Sequence, residues 1–374
     1  MTQIEDLVRQ ALAETPAPTT STDPLATLDR RVRRARRRLA AGAGVVTAVV
    51  AAAVAVPLAV LGGDGSPNSL EVARTPSPAP LPSGTTALWT DHAVSSATDS
   101  SGRRWVLYKD GDHNYVQPVG PGTNKLTSVQ SPADYLLENG DTLWVVGTSR
   151  VTAIDTHSGT SATMELPQVS DAAVIQDSLY VLDSAVPQGA VARIAFTDTG
   201  MDETDFKPLP DAQGIVATSQ GHLWVHAGDQ LVELTPMPGG FTVGKGVQWG
   251  SGAILAPTLP RSAPDGVWAY DGSRLITLMP ANLAGCLSCA EGYRIAVPGQ
   301  PTNVVETPEG LFVAVPGTGL LFYAKDALST GTTVTASLSG VQVASLTADP
   351  GHGVDYVDDQ GRLIQWDPAG AGSR

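Results

Sequence analysis

A chain of 374 residues with a formal net charge of −14 has room for two or three domains. The charge is unevenly spread: residues 1–38 carry eight Arg against five acids, which leaves fifteen bases and thirty-two acids for the rest. A C-terminal part that acidic offers no basic face to phosphate, so nucleic acid is excluded as its partner.

The first predicted element runs from Ile4 to Ala13. Ile4, Leu7, Val8, Ala11 and Leu12 recur at helical spacing, while Glu5, Asp6, Arg9 and Gln10 fill the other face. Glu14-Thr-Pro-Ala-Pro18 ends this short amphipathic helix. About ten residues make a marginal helix in water, so its apolar stripe calls for a protein partner or a membrane surface. Asp23-Pro24 opens a second helix, with an acidic cap and Pro at the first helical position. Its apolar steps at Leu25, Leu28, Val32, Ala35 and Leu39 lead without a break into the next segment.

That segment, Leu39 to Leu61, holds 23 residues and no charge. As a helix it reaches roughly 34 Å, enough to cross a hydrocarbon core of about 30 Å, and it predicts a single transmembrane span. Seven of the nine residues from Arg30 to Arg38 are Arg, whereas Gly62 to Ser66 carry no base. Such asymmetry places the N-terminus in the cytoplasm and the C-terminal part outside, with the Arg block against anionic lipid. A cleaved signal peptide fits less well, because 38 polar residues precede the apolar run and no Ala-x-Ala-like site follows it. Residues 62–84, with Pro67, Pro76, Pro78, Pro80 and Pro82, form a predicted extended tether.

From residue 85 the chain changes character. Short patches of Val, Leu, Ile and Trp alternate with Gly, Pro, Asp and Asn, which predicts an all-β domain over 85–367 and a flexible tail over 368–374. One phrase returns in Asn139-Gly-Asp-Thr-Leu-Trp-Val145, Gln176-Asp-Ser-Leu-Tyr-Val181, Gln220-Gly-His-Leu-Trp-Val225, Pro264-Asp-Gly-Val-Trp-Ala269 and Pro308-Glu-Gly-Leu-Phe-Val313. Weaker copies stand at Ser101–Val106 and Pro350–Asp355. The anchors Trp105, Trp144, Tyr180, Trp224, Trp268, Phe312 and Val354 lie 39, 36, 44, 44, 44 and 42 residues apart. A period of about 40 with several short strands per unit marks a seven-bladed β-propeller. The strand before each anchor copy is expected to line the central channel: Ala93–Thr98, Tyr135–Glu138, Ala172–Ile175, Ile215–Thr218, Ile254–Pro257, Val304–Thr307 and Val343–Ala348. The anchors are expected to fill gaps between sheets and not to stack on a ligand. The last unit reaches only its third strand, so Thr85–Trp89 is expected to complete it by pairing with Arg362–Trp366.

The two cysteines, Cys286 and Cys289, are too few for a four-ligand zinc site, and no His lies near them. An extracytoplasmic location predicts a local disulfide between them, with two free thiols as the other state. His222 and His226 stand four residues apart, which on a strand separates them by about 13 Å, too far to share a metal. Asp355, Asp358 and Asp359 read as a solvated hairpin turn. No phosphate loop, Gly-x-Ser-x-Gly elbow or His-Glu-x-x-His segment occurs, so no catalytic, cofactor-binding or metal-binding residue is assigned.

The phrase Gly-x-Leu-Trp-Val, with a following Leu/Ile-x-x-Ile/Leu-Asp strand, resembles the seven-bladed propellers of the YVTN, NHL and streptogramin-lyase-like group over residues 85–367. Residues 1–61 resemble the head of actinobacterial single-pass proteins, some of them membrane anti-sigma factors, although the His-x-x-x-Cys-x-x-Cys signature of the zinc type is missing. The two resemblances together imply a membrane-anchored binding or sensing module. It would meet a ligand or protein outside and a cytoplasmic partner, such as a sigma factor, through residues 1–38. The competing reading is a tethered cell-surface lyase or hydrolase with its site at the mouth of the channel.

Overall fold

The computed structural model describes residues 80–120, 127–130, 132–185, 189–218, 220–244, 246–249, 253–257, 266–278, 293–330, 333–349 and 353–368. The expected cytoplasmic segment 1–38, the expected span 39–61, most of the expected linker 62–84, both cysteines and nearly all of the tail lie outside the described residues. Among the described residues no helix is long and apolar enough to cross a membrane.

The described chain forms seven antiparallel sheets arranged as a propeller. The inner strands are Ala93–Thr98, Tyr135–Asn139, Val169–Ile175, Ala212–Ala217, Ala253–Pro257, Asn303–Thr307 and Val343–Asp349. Several of them begin earlier than the sequence pattern indicates. Five of the seven carry a β-bulge near the start, and the two largest extensions, at Val169 and Ala212, lie before the bulges between Val169 and Asp171 and between Ala212 and Gly214. A bulge inserts an unpaired residue and breaks the two-residue alternation on which strand reading rests.

One apolar cluster lies between each consecutive pair of blades. At six of these seams the anchor aromatic of one blade meets a Leu or Val of the next. The pairs are Trp105 with Leu143, Trp144 with Leu179, Tyr180 with Leu223, Trp224 with Val267, Trp268 with Leu311, and Phe312 with Val354. A buried Trp removes roughly 200 Å² from water, about 5 kcal/mol at about 25 cal/mol per Å² before chain entropy is subtracted. Core packing therefore accounts for these rings.

The seventh anchor requires a correction. Gly310, two residues before Phe312, lies so close to the Tyr323 carbonyl that a Cβ would overlap it, and Gly353 meets the Trp366 carbonyl in the same way. Counting from Gly353, the anchor position of blade seven is Asp355 and not Val354. The turn there is one residue longer: Asp349 pairs with Gly353, whereas Thr307 pairs with Gly310. Val354 instead takes the place of Leu311 and packs back on blade six.

Three further features differ from simple repetition. In blade four the outer edge is divided, since Gln230–Met237 pairs with Gly240–Val243 along one half and with Val247–Gln248 along the other. In blade six a short helix, α1 (Lys325–Thr330), stands between the third and fourth strands and buries Leu328. The ring closes as expected: Thr85–Trp89 is the outermost strand of the last sheet, with Thr85 opposite Trp366 and Ala87 opposite Ile364.

Candidate functional site

The inner strands surround a cavity of about 1050 Å³ to which all seven blades contribute. Small and apolar residues such as Ala97, Leu137, Val174, Ala217 and Val305 cover much of its wall. Its described charged residues are Asp134, Glu138, Asp171 and Glu306, and no Lys, Arg or His lines it among the described residues.

Three of these carboxyls are held differently. Glu306, 5% exposed, accepts a 2.7 Å hydrogen bond from the Trp268 indole N–H. Glu138 occupies the same register position, opposite Leu143 as Glu306 is opposite Leu311. The equivalent indole, that of Trp105, is committed elsewhere, because it donates to Asp99 at 2.9 Å. Burial and the nearby Asp99 raise Glu138 to about 7, with backbone N–H groups of Gly140 and Ser100 opposing the shift. At neutral pH Glu138 can therefore both donate and accept.

Asp171 lies at the bulge of blade three. It accepts the backbone N–H of Ala172 through Oδ1 and that of Ile215, in the next blade, through Oδ2, both at 2.9 Å. Burial raises it to about 6 even so. Ser95 in blade one holds the matching position and accepts the Leu136 N–H at 3.2 Å. Tyr135 takes this position in blade two, where burial, with Asp171 and Asp134 nearby, raises its phenol and the Ala172 backbone N–H opposes the shift.

A second cavity, about 430 Å³, opens between blades one and two and is lined by Asp99, Ser101, Arg103, Asp141, Thr156 and His157. Burial raises Asp99, but hydrogen bonds from Ser101, Trp105 and the backbone outweigh it and leave the carboxyl below its ordinary range. His157 Nδ1 lies 3.5 Å from Asp141 Oδ1, with both side chains largely exposed. Asp99 orders the turn that follows it through Oδ1 and accepts the Trp105 indole through Oδ2.

The histidines and aspartates noted in the sequence have separate settings. His222 Nδ1 lies 3.0 Å from Glu233 Oε1 and 3.1 Å from Thr235 Oγ1, while His226 is buried within Leu223–Ala227. Asp358 belongs to the turn: it accepts the backbone N–H groups of Gln360 and Arg362 and pairs with the Arg362 guanidinium, and Asp359 is exposed. Asp355 does not belong to it. It is 1% exposed and pairs with Arg104 of blade one at 2.7 Å, because the longer turn rotates it into the seam. Among the described residues no three His, Cys, Asp or Glu converge on a possible metal position.

Sequence reading places Glu138 and Glu306 on strands expected to line the channel but gives neither a role. Glu138 and Glu306 were within reach, since Leu-Leu-Glu-Asn and Val-Val-Glu-Thr end equivalent inner strands. Asp171 was not, because the bulge hides which way it faces.

No protein family and no curated protein matches the chain. Among solved structures the propeller is similar to a virginiamycin B lyase from Staphylococcus aureus, with TM-score 0.53, 12% identity, and 75% of this chain and 97% of that one covered. A streptogramin B lyase matches with TM-score 0.52 and 10% identity, over 75% and 96%. YCF48 from Cyanidioschyzon merolae matches with TM-score 0.52 and 13% identity, over 76% and 99%. Identities this low establish the propeller fold alone.

Proposed function

We propose that this chain is a membrane-anchored binding or sensing module whose propeller lies outside the cell and takes its ligand in the central channel. The observation that carries the reading is the 1050 Å³ cavity bounded by all seven inner strands. A cavity of this size that combines apolar wall with a few polar groups suits a small molecule or an inserted side chain. Among the described residues four carboxyls and no base line the cavity, which selects against anions, since an anion buried beside them gains no compensating charge. The favoured ligand is neutral or positively charged.

The anchor rests on Leu39–Leu61 and the Arg block before it. Residues 1–38 are then cytoplasmic, and the stripe Ile4, Leu7, Val8, Ala11 and Leu12 is the contact for a protein partner such as a sigma factor. Cys286 and Cys289 form a local disulfide in this setting. A reporter that works only outside the cytoplasm, fused after Arg374, is expected to be active; activity confined to a cytoplasm-only reporter overturns the topology.

A further inference from the structure

The seam between blade seven and blade one differs in kind from the other six. Where those place an aromatic anchor against Leu or Val, this one places Asp355 against Arg104, the residue that stands immediately before Trp105 as Leu143 stands before Trp144. Arg104 donates through Nε to Asp355 Oδ2 at 2.7 Å and through Nη2 to Asp349 Oδ2 at 2.5 Å. Gln365 also donates to Asp349 Oδ2, at 2.9 Å. The other oxygen of Asp355, Oδ1, is buried and has no hydrogen-bond partner. One guanidinium thus serves two carboxylates, and the ionised cluster keeps a net negative charge inside the ring.

The remainder of the seam is also polar. Ser95 and Ser345 hydroxyls lie 3.2 Å apart, Ser96 donates to Thr347 Oγ1 at 3.2 Å, and Thr347 donates to the Ser96 carbonyl at 2.9 Å. The buried apolar residues here are Ala93, Val106, Val357 and Leu363, a smaller set than at any other seam among the described residues. Neither the inner strand of blade one, Ala-Val-Ser-Ser-Ala-Thr, nor the closing strand, Thr-Thr-Ala-Leu-Trp, brings another ionisable group. Arg104 and Asp349 are the charges that act on Asp355.

We propose that this seam is a proton-operated clasp, in which the Arg104–Asp349–Asp355 cluster holds the ring more tightly after taking up one proton and loosens when it is lost. A proton on Asp355 cancels the surplus charge and leaves Arg104 paired with Asp349 alone. Burial raises the Asp355 carboxyl to about 6, Arg104 opposes this and Asp349 adds to it. Since the folded value lies above the unfolded one, the stabilisation is complete below about pH 4 and is lost as pH rises through about 6. The closing strand Thr85–Trp89 belongs to the same sheet as Asp355, so the clasp bears on the strand that completes the ring.

The test compares the full chain with Asp355→Asn, unfolded in denaturant between pH 5 and pH 7. Glu138 and Asp171 also titrate in this range, so the difference between the two proteins is what counts. From pH 7 to pH 5 the wild-type folding equilibrium constant is expected to gain about tenfold relative to the variant. Parallel pH profiles overturn the proposal. A measurement on the wild type alone covers the case in which the variant fails to fold: hydrogen exchange of Arg104–Tyr108 and Leu363–Trp366, corrected for intrinsic rates and referred to Ser178–Asp183. Protection at the seam is expected to fall relative to the reference strand between pH 5.5 and 7.5, and a constant ratio overturns the clasp.

Discussion

Replacing Arg104 by Leu is expected to destabilise the ring by about 3–5 kcal/mol, the usual consequence of removing one partner from a buried ion pair. The cause is not the lost attraction alone. Asp355 is 1% exposed and Asp349 is 7% exposed, and without the guanidinium their charges must either stay buried without the Arg104 cation or be cancelled by proton uptake. If Asp355 is changed to Phe in the same protein, the seam regains the aromatic-against-Leu arrangement of the other six. Part of the lost stability is then expected to return, because well-packed apolar groups commonly equal a buried ion pair, while Asp349 stays buried with Gln365 as its donor. Equilibrium denaturation of the wild type, the single variant and the double variant measures this directly. An Arg104→Leu protein as stable as the wild type would show that the cluster carries no buried charge. A double variant no more stable than Arg104→Leu would show that the seam is not equivalent to its six relatives.

Deleting residues 85–89 is expected to cost at least about 5 kcal/mol, mainly through the loss of Trp89 and Leu88. Both pack against the apolar cluster of the closing seam. The Trp89 ring lies 5.0 Å from the Tyr108 ring of blade one, so the closing strand reaches across the seam as well as completing its own sheet. Its removal also bares the edge of Leu363–Trp366. The expected observation is a shift of the whole unfolding transition, whereas deleting residues 80–84 serves as a control of the same length. An unchanged midpoint, with exchange protection lost only at Leu363–Trp366, would mean that the strand merely decorates an already closed ring.

The repeat was legible because packing imposes it. Six blades place a large side chain against the next one, and Trp144, Tyr180, Trp224 and Trp268 do so at intervals of 36, 44 and 44 residues. Closure was legible for a similar reason, since a sheet lacking its fourth strand left Thr85–Trp89 as the available partner. The polar features were harder to read. A single extra turn residue before Gly353 moves the anchor position from Val354 to Asp355, and a one-residue shift reverses the face of every side chain on a strand. The significance of Arg104 emerges only with its partner, 251 residues away. The bulge between Val169 and Asp171 likewise hides the start of an inner strand otherwise legible from Ala172, and the period that predicts a central channel does not report which side chains enter it.

The central claim is that the channel binds a neutral or cationic ligand. Its most direct test is calorimetric titration of the full chain with a panel of compact probes, agmatine, choline and spermidine beside glycerol, succinate and citrate. Wild type and Glu138→Lys are titrated in parallel. The probes that bind are expected to be cationic or neutral, and Glu138→Lys is expected to weaken a cationic one at least about tenfold, or about 1.4 kcal/mol. Binding confined to succinate and citrate, or cation binding that Glu138→Lys leaves unchanged, would contradict it.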